Sequence, residues 1–299
     1  MKKRVLITGA NGLLGQKLVQ VLAEEYQVLA TARQPEPVIS VEGIQYLPLD
    51  ITDMSRCKEL TMEFKPDVIL NAAAFTHVDA CEEQKELCWK VNVKGVENLA
   101  LCARKNMAQL VHFSTDYIFK GTDGPYPEEA YPEPLGYYGK AKLASENVVR
   151  MAGIPYAIIR TNVLYGIGVG VKTNFFLWVY KNLSSGKPIR VVTDQYNNPI
   201  LAEDLAEGVR LLLQKSGYGV FHMGGEEYLN RFDFAIKIAE IFSFSRDLIQ
   251  PITTDALGQK APRPMQGGLK IEKAKKELGF QPRTIPEALE YLRTQLKER

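Results

Sequence analysis

The chain has 299 residues, with 37 basic and 35 acidic side chains and a net charge of +2, so no overall attraction to nucleic acid or to an anionic membrane is built into it. Its 45% hydrophobic and 24% charged residues are the proportions of an ordinary globular protein, long enough for one large α/β domain or two unequal ones. It contains no run of about 18 apolar residues that would span a membrane. The opening "MKKRVLITGANG" loses its apolar run at Thr8 and Gly9, which excludes a secretory leader or anchor there.

Taken in chain order, the first half alternates short apolar runs with amphipathic stretches, the pattern of βαβ units on a parallel sheet. "RVLITGA" reads as a buried strand, "LLGQKLVQVLAEE" as the helix after it, and "YQVLATAR" and "IQYLPLD" as the next strands. "PDVILNAAA" is a further strand, followed by one long helical segment, "ELCWKVNVKGVENLALCARKN". Then come the strand "QLVHFSTDYIF", the helix "YYGKAKLASENVVRMAG" and the strand "YAIIRTNVLYG". The predicted class is α/β, a Rossmann-type doubly wound parallel sheet over residues 1–165, with residues 166–299 mainly a smaller C-terminal α/β substrate-binding lobe. In that lobe "TNFFLWVYKNL" and "RFDFAIKIAEIF" read as helices and "IRVV" and "GVFHMG" as short strands. A segment near 189–215, containing "AEDLAEGVRLLLQK", is expected to return to the sheet. Pro262 and Pro264 break the chain before two final helices.

Cys57, Cys81, Cys88 and Cys102 lie in one half of the chain without C-x-x-C spacing, which argues against a disulfide framework or a zinc site. A reducing cytoplasm is the expected setting. His77, His112 and His222 are scattered, with His112 inside a strand and His222 beside a glycine pair, so core or turn roles are expected rather than metal binding. No carboxylate cluster suggests a magnesium site.

"ITGANGLLG" sets Gly9, Gly12 and Gly15 at the turn from the first strand into the first helix. Glycine at the first position permits the tight turn. At the second it lets a pyrophosphate approach the backbone, and at the third it lets helix and strand pack closely. The helix N-terminus would then meet the anion with free N–H groups and the positive end of its dipole. A purely structural turn is the alternative, but strand before and helix after are the context that dinucleotide binding requires. The end of the second strand, "LATARQPEP", offers Arg33 and no carboxylate. A carboxylate there would bond the ribose 2′-OH of NAD, whereas an arginine suits a 2′-phosphate. NADPH is the expected cofactor, with NADH as the alternative.

In "YYGKAKLASE" two tyrosines and two lysines crowd one helical stretch. Residues four apart share a helix face, which pairs Tyr138 with Lys142 and leaves Tyr137 opposite Ala141. Hydride reduction of a ketone leaves an alkoxide that needs a proton. A tyrosine can donate it, and a nearby ammonium can stabilise the resulting phenolate, pulling the phenol down from its ordinary pKa of about 10. Lys142 can also bond the ribose hydroxyls of a nicotinamide nucleotide. The bland reading is a solvated helix carrying a Lys142–Glu146 ion pair.

The G-x-x-G-x-x-G spacing resembles the short-chain dehydrogenase/reductases, in the extended branch that acts mostly on nucleotide sugars. More narrowly, "NAAAFTHVDACEEQ", "VNVKGVENLA", "FSTDYIFKG", the Tyr–Lys pair, "RTNVLYG", "TNFF", "DQYNNPILAEDLA" and "APRP" occur in the order seen in dTDP-4-dehydrorhamnose reductases, across essentially the whole chain. The resemblance implies reduction of the 4-keto group of dTDP-4-dehydro-6-deoxy-L-mannose, with a nucleotide-sugar substrate and a homodimer as one compatible assembly. It implies that Thr115, Tyr138 and Lys142 are catalytic, Thr115 bonding the substrate oxygen. Gly9, Asn11, Gly12, Leu13, Gly15 and Arg33 would hold the cofactor, with Asp50 and Ile51 bracketing the adenine. Ala74, Phe75, Thr76 and Asn92, together with Tyr138 and Lys142, would line the cofactor too. Thr76, Val78, Thr115, Asp116, Tyr117, Val163 and Asn174 would meet the substrate. For Ser114 and Thr115 the alternative is that they only satisfy turn backbone groups.

Two departures bear on the substrate. Where the family has R-T-S-W-V-Y-G this chain reads "RTNVLYG", so Val163 replaces a tryptophan that packs on the sugar, and the G-S-P-T after the D-Q pair becomes "NNPI". A reductase or epimerase of another nucleotide sugar is therefore carried as an alternative. So is a binding role like that of the methionine adenosyltransferase β subunit, which resembles these reductases and binds NADP while serving a partner enzyme. Trp178, Phe175 and Phe176 would cover the ligand or simply fill the core.

Overall fold

The structure, a computed structural model, describes residues 2–297. Strands β1 (Arg4–Thr8), β2 (Gln27–Ala32), β3 (Gln45–Pro48), β4 (Val68–Asn71), β5 (Gln109–Thr115) and β6 (Tyr156–Thr161) form a parallel sheet, completed by the strand Gly219–His222. From one edge the order is Gly219–His222, β6, β5, β4, β1, β2, β3. The chain runs outward from β1 through β2 to β3, then restarts at β4 on the other side of β1. The switch point between β1 and β4 opens a crevice at their carboxyl ends, where ligands of such sheets bind.

Both faces of the sheet are covered, so its strands read as continuous apolar runs. The period of two sorts β1 between the layers: Val5 and Ile7 join one buried cluster and Leu6 the other. On the first face α1 (Leu13–Leu22) is the first helix of the layer. On the second, α2 (Met54–Phe64) contributes Cys57 and Leu60. Two short helices, α3 (Val78–Glu83) and α4 (Lys85–Trp89), precede α5 (Gly95–Asn106), and α6 (Tyr137–Met151) lies against α5 and β5. The helix expected to run unbroken through this region has a π-helical turn at Lys90–Lys94, between α4 and α5. Its cause is local. Asn92 turns its amide to Phe75, and one extra residue per turn brings it there.

A second apolar cluster, away from the main sheet, gathers Tyr165 of the short strand Leu164–Tyr165 with Phe176, Val179, Phe234, Ile238 and Leu289 from α7 (Phe175–Ser184) and the helices that follow. Of the segment near 189–215, α8 (Ala202–Gln214) lies against α1 under the main sheet. The strand Ile189–Val192 instead pairs with Ile249–Ile252 over the second cluster. "GVFHMG" contributes the edge strand of the main sheet, paired with β6.

Candidate active site

The loop after β1 is shaped by close approaches that only glycine permits. Gly9 has φ of +70°, and a Cβ on it would lie 2.7 Å from backbone atoms of Ala72 and Ala73, beyond the end of β4. A Cβ on Gly15 would lie 2.6 Å from Ala10 Cα. Gly12 opens α1 in an extended conformation and no side chain caps the helix, which leaves its first N–H groups for a ligand. Asn11 braces the loop: its Nδ2 donates to Glu36 O at 3.0 Å and its Oδ1 accepts from Val38 N at 3.1 Å. Leu13 begins α1. A cavity of about 420 Å³ opens beside the loop, lined by Gly9, Asn11, Gly12, Arg33, Asp50, Ile51, Ala74 and Phe75. Arg33 makes no ion pair or side-chain hydrogen bond among the described residues. Asn92 stands behind this wall, its amide bonded to the N–H and C=O of Phe75 at 2.8 and 3.0 Å.

β5 ends in Thr115, whose hydroxyl accepts from Tyr117 N and donates to Asp116 Oδ1, both at 3.2 Å. Asp116 is buried, and burial pushes its carboxyl up to about 6 against bonds from Gly268 N–H and Thr115 and the charge of Arg231. Tyr138 packs in one cluster with Phe75, Cys81 and Cys88, and sets its ring edge-on to Tyr117 with centroids 5.7 Å apart. It thus stands between Phe75 of the first cavity and Tyr117 of the second. Burial raises the Tyr138 phenol, as do the neighbouring Cys81, Tyr117 and Asp116, while a hydrogen bond with Thr115 opposes them. The expected pull from Lys142 is not what the structure holds, because the amine is turned to β5. Lys142 Nζ donates to Phe113 O at 2.6 Å and meets His112 Nε2 at 3.2 Å.

Lys142 is 2% exposed, and burial brings its amine down to about 8, with Glu146 and Cys88 opposing. The ion pair of a solvated helix is not formed. Glu146 is bonded by Arg160 at 2.9 and 2.8 Å and by Arg150 at 3.1 Å. Burial favours the neutral carboxyl of Glu146, but these arginines outweigh it and hold the pKa below its ordinary value.

A second cavity of about 590 Å³ is lined by Val78, Tyr117, Val163 and Asn174, with Phe175 and Trp178, and by Arg190, Arg231 and Arg263. Thr76 is exposed, in the short link between Phe75 of one cavity and His77 of the other. The Asn174 side chain caps α7 and bonds Gly166 O at 2.8 Å. Phe176 belongs to the core, whereas Phe175 and Trp178 face the cavity.

Sequence reasoning missed three residues here. Arg190 and Arg231 sit in unrelated segments, and a lone arginine carries no local pattern. Arg231 stacks on Phe175 at 4.9 Å and makes no ion pair or side-chain hydrogen bond among the described residues. Gln16 was also missed: its amide bonds Asn11 O at 3.0 Å and both Val169 O and N at 2.9 Å, tying the glycine loop to the second half of the chain. Val163, Asn174, Phe175 and Trp178 had pointed to this region, as had "APRP", which contains Arg263; Arg263 is paired with Asp79 at 2.8 Å. Among the described residues no group of three or more His, Cys, Asp or Glu is placed to hold a metal, and no helix is long and apolar enough to cross a membrane.

A glycine turn at the switch point of a parallel sheet, with Tyr138 and a buried Lys142 four residues apart on the helix after β5, is the arrangement of the short-chain dehydrogenase/reductases, oxidoreductases that use a nicotinamide dinucleotide. Within that class, residues 2–297 match the RmlD substrate binding domain, and the chain belongs to that family. It is 32% identical over 304 residues to the dTDP-4-dehydrorhamnose reductase of Aggregatibacter actinomycetemcomitans, covering 97% of this chain and 98% of that one. The crystal structure of dTDP-4-dehydrorhamnose reductase from Bacillus anthracis in complex with NADP superposes with a TM-score of 0.89 at 32% identity, covering 99% and 100% of the two chains. The methionine adenosyltransferase 2 subunit beta of Xenopus laevis is 32% identical over 289 residues, 94% of this chain and 84% of that one.

Proposed function

We propose that the protein reduces the 4-keto group of a nucleotide-linked deoxy sugar, dTDP-4-dehydro-6-deoxy-L-mannose first among them, giving dTDP-L-rhamnose. The observation that carries this reading is the position of Tyr138, between Phe75 on the wall of the first cavity and Tyr117 on the wall of the second.

The residues of the first cavity fit a nicotinamide dinucleotide. The turn at Gly9 and Gly15 leaves no room for a Cβ, the uncapped start of α1 faces the phosphates, and Arg33 at the end of β2 suits a 2′-phosphate. Bound there, NADPH supplies the hydride. Phe75, held in place by Asn92, forms the wall nearest Tyr138. Thr115 bonds the substrate ketone and orients it. Tyr138, kept protonated by its buried setting, gives its proton to the oxygen as the alkoxide develops. The ammonium of Lys142, with one N–H beyond those directed to Phe113 O and His112, would bond a ribose hydroxyl of the cofactor and favour the phenolate left behind.

In the second cavity Arg190 and Arg231 would meet the diphosphate, while Val163 leaves more room beside the sugar than tryptophan would. The division of labour follows the chain, with residues 1–165 mainly for the cofactor and 166–299 mainly for the substrate. The partly exposed apolar strip of Leu101, Val148 and Met151 between α5 and α6 would be the face of a homodimer, which light scattering would detect. The four free, buried cysteines suit a reducing cytoplasm.

The test is NADPH oxidation with the dTDP keto sugar generated in place and the product identified by NMR. Turnover to dTDP-L-rhamnose supports the reading. Tight NADPH binding without turnover of this or related keto sugars would replace it with a binding role like that of the adenosyltransferase subunit.

A further inference from the structure

Behind Lys142 lies a row of polar side chains that the proton chemistry above does not use. Thr8 on β1, Asn71 on β4, His112 on β5 and Ser145 on α6 are each no more than 1% exposed. Thr8 Oγ1 bonds Asn71 Oδ1 at 2.7 Å, and Asn71 Nδ2 meets His112 Nδ1 at 3.2 Å. His112 Nε2 meets Ser145 Oγ at 2.9 Å and Lys142 Nζ at 3.2 Å. Aliphatic side chains fill most of this sheet, and a buried polar row that is only partly satisfied is less stable than an apolar core. The row meets Lys142 twice, His112 at the amine and Ser145 at the backbone carbonyl, to which its hydroxyl donates at 2.6 Å.

Both partners of Lys142 Nζ are uncharged, the Phe113 carbonyl and the His112 imidazole. Ionisable groups approach from every side. Tyr138 and Glu146 lie on α6, Cys81 and Cys88 on α3 and α4, and Asp116 and Tyr117 follow β5. None of the carboxylates touches the amine, and Glu146 is already bonded by Arg160 of β6 and by Arg150. A carboxylate in place of His112 would hold the lysine equally well. It would also cancel the charge that a phenolate at Tyr138 requires.

We propose that His112 is the positioning residue of Lys142: it holds the amine against β5 without neutralising it, and through Asn71 and Thr8 its tautomer follows the lysine's protonation state. This rests on the role given to Lys142 above. With the lysine charged, Nζ and the Ser145 hydroxyl, turned from Lys142 O, donate to Nε2, the ring proton sits on Nδ1, and Asn71 presents its oxygen. With the lysine neutral, Nε2–H is shared between the amine and Ser145 Oγ, whose own proton goes to Lys142 O, and the Asn71 NH2 faces Nδ1. A half-turn of the Asn71 amide interconverts the two, and the Thr8 hydroxyl serves as acceptor or donor accordingly. Burial, then the charge of Lys142, hold the imidazole well below its ordinary pKa, so the ring itself stays neutral.

The experiment measures NADPH affinity against pH by fluorescence titration, and the pH profile of kcat/KM beside it, for wild type, His112→Phe and Asn71→Leu. Removing an acceptor from the ammonium makes the amine more acidic. The midpoint at which NADPH affinity falls with rising pH is therefore expected about one unit lower in His112→Phe, a tenfold change in acidity. In Asn71→Leu it is expected to move the same way by about threefold. Thermal melts establish which variants fold, and if His112→Phe does not, Asn71→Leu decides alone. A folded variant with the wild-type midpoint overturns the proposal. The binding midpoint needs no sugar, so a shifted midpoint in a protein that reduces none of the keto sugars tested supports the role of His112 while the substrate reading falls.

Discussion

Gly15→Ala and Gly12→Ala separate the two tasks of the phosphate loop. A Cβ on Gly15 would lie 2.6 Å from Ala10 Cα and 2.8 Å from Gly9 C, where ordinary contact begins at about 3.4 Å. The atoms it meets are backbone, fixed by β1 on one side and by the approach of Gly9 to Ala72 on the other, so no rotamer change relieves the overlap. The start of α1 must move outward by several tenths of an ångström. Overpacking of this kind costs about 1–3 kcal/mol, and about 2 kcal/mol in a protein of this size lowers Tm by about 5 °C. A Cβ on Gly12 would meet only Gly9 O, at 3.2 Å, and Gly12 already has the negative φ that alanine accepts. Its stability should stay within about 0.5 kcal/mol of wild type. Gly12 lines the first cavity, and on the proposed reading a methyl group there would crowd the phosphates, so NADPH affinity should fall about tenfold or more. Thermal unfolding and NADPH fluorescence titration, run on both variants, check this. A Gly15→Ala protein that melts with the wild type, or a Gly12→Ala protein that binds NADPH normally, refutes the assignment.

Tyr138→Phe should lower kcat by about 100-fold or more, as expected for loss of a general acid, while leaving the Kd for NADPH within about threefold; stopped-flow reduction and cofactor titration separate the two. Arg33→Ala should weaken NADPH about tenfold and NADH hardly at all, and equal losses would count against a 2′-phosphate contact. Glu146→Gln strands Arg160 in the interior and should destabilise the fold by about 3–5 kcal/mol, read from denaturant melts. Because the folded protein holds the Glu146 carboxyl below its ordinary value, this carboxyl's contribution to stability is complete above that value and lost as pH falls through the folded one. The variant should therefore lack that part of the wild type's acid destabilisation, and an acid limb unchanged by the substitution would contradict it.

Much of the first half was legible in sequence because its signals are local. The apolar runs of β1, β4 and β5, the glycine turn and the four-residue spacing of Tyr138 and Lys142 each lie within a few consecutive residues. The π-helical turn at Asn92 was not legible, since its cause is Phe75, 17 residues away in sequence. The burial of Lys142 was hidden for a like reason. In its helix Lys142 and Glu146 stand four apart, the spacing of an ion pair on a solvated face, and only the packing of α6 on β5 turns Lys142 inward.

The sequence by itself determined the class of fold, the place of the glycine turn and the four-residue spacing of Tyr138 and Lys142, because hydrophobic period and glycine placement are written along the chain. Tertiary structure decided which charges face one another. It sent Glu146 to Arg160 and Lys142 to His112, and it gathered Arg190, Arg231 and Arg263 around one cavity. Electrostatic partners are chosen by distance in space, and strands adjacent in the sheet, such as β1 and β4, lie 63 residues apart along the chain at Thr8 and Asn71.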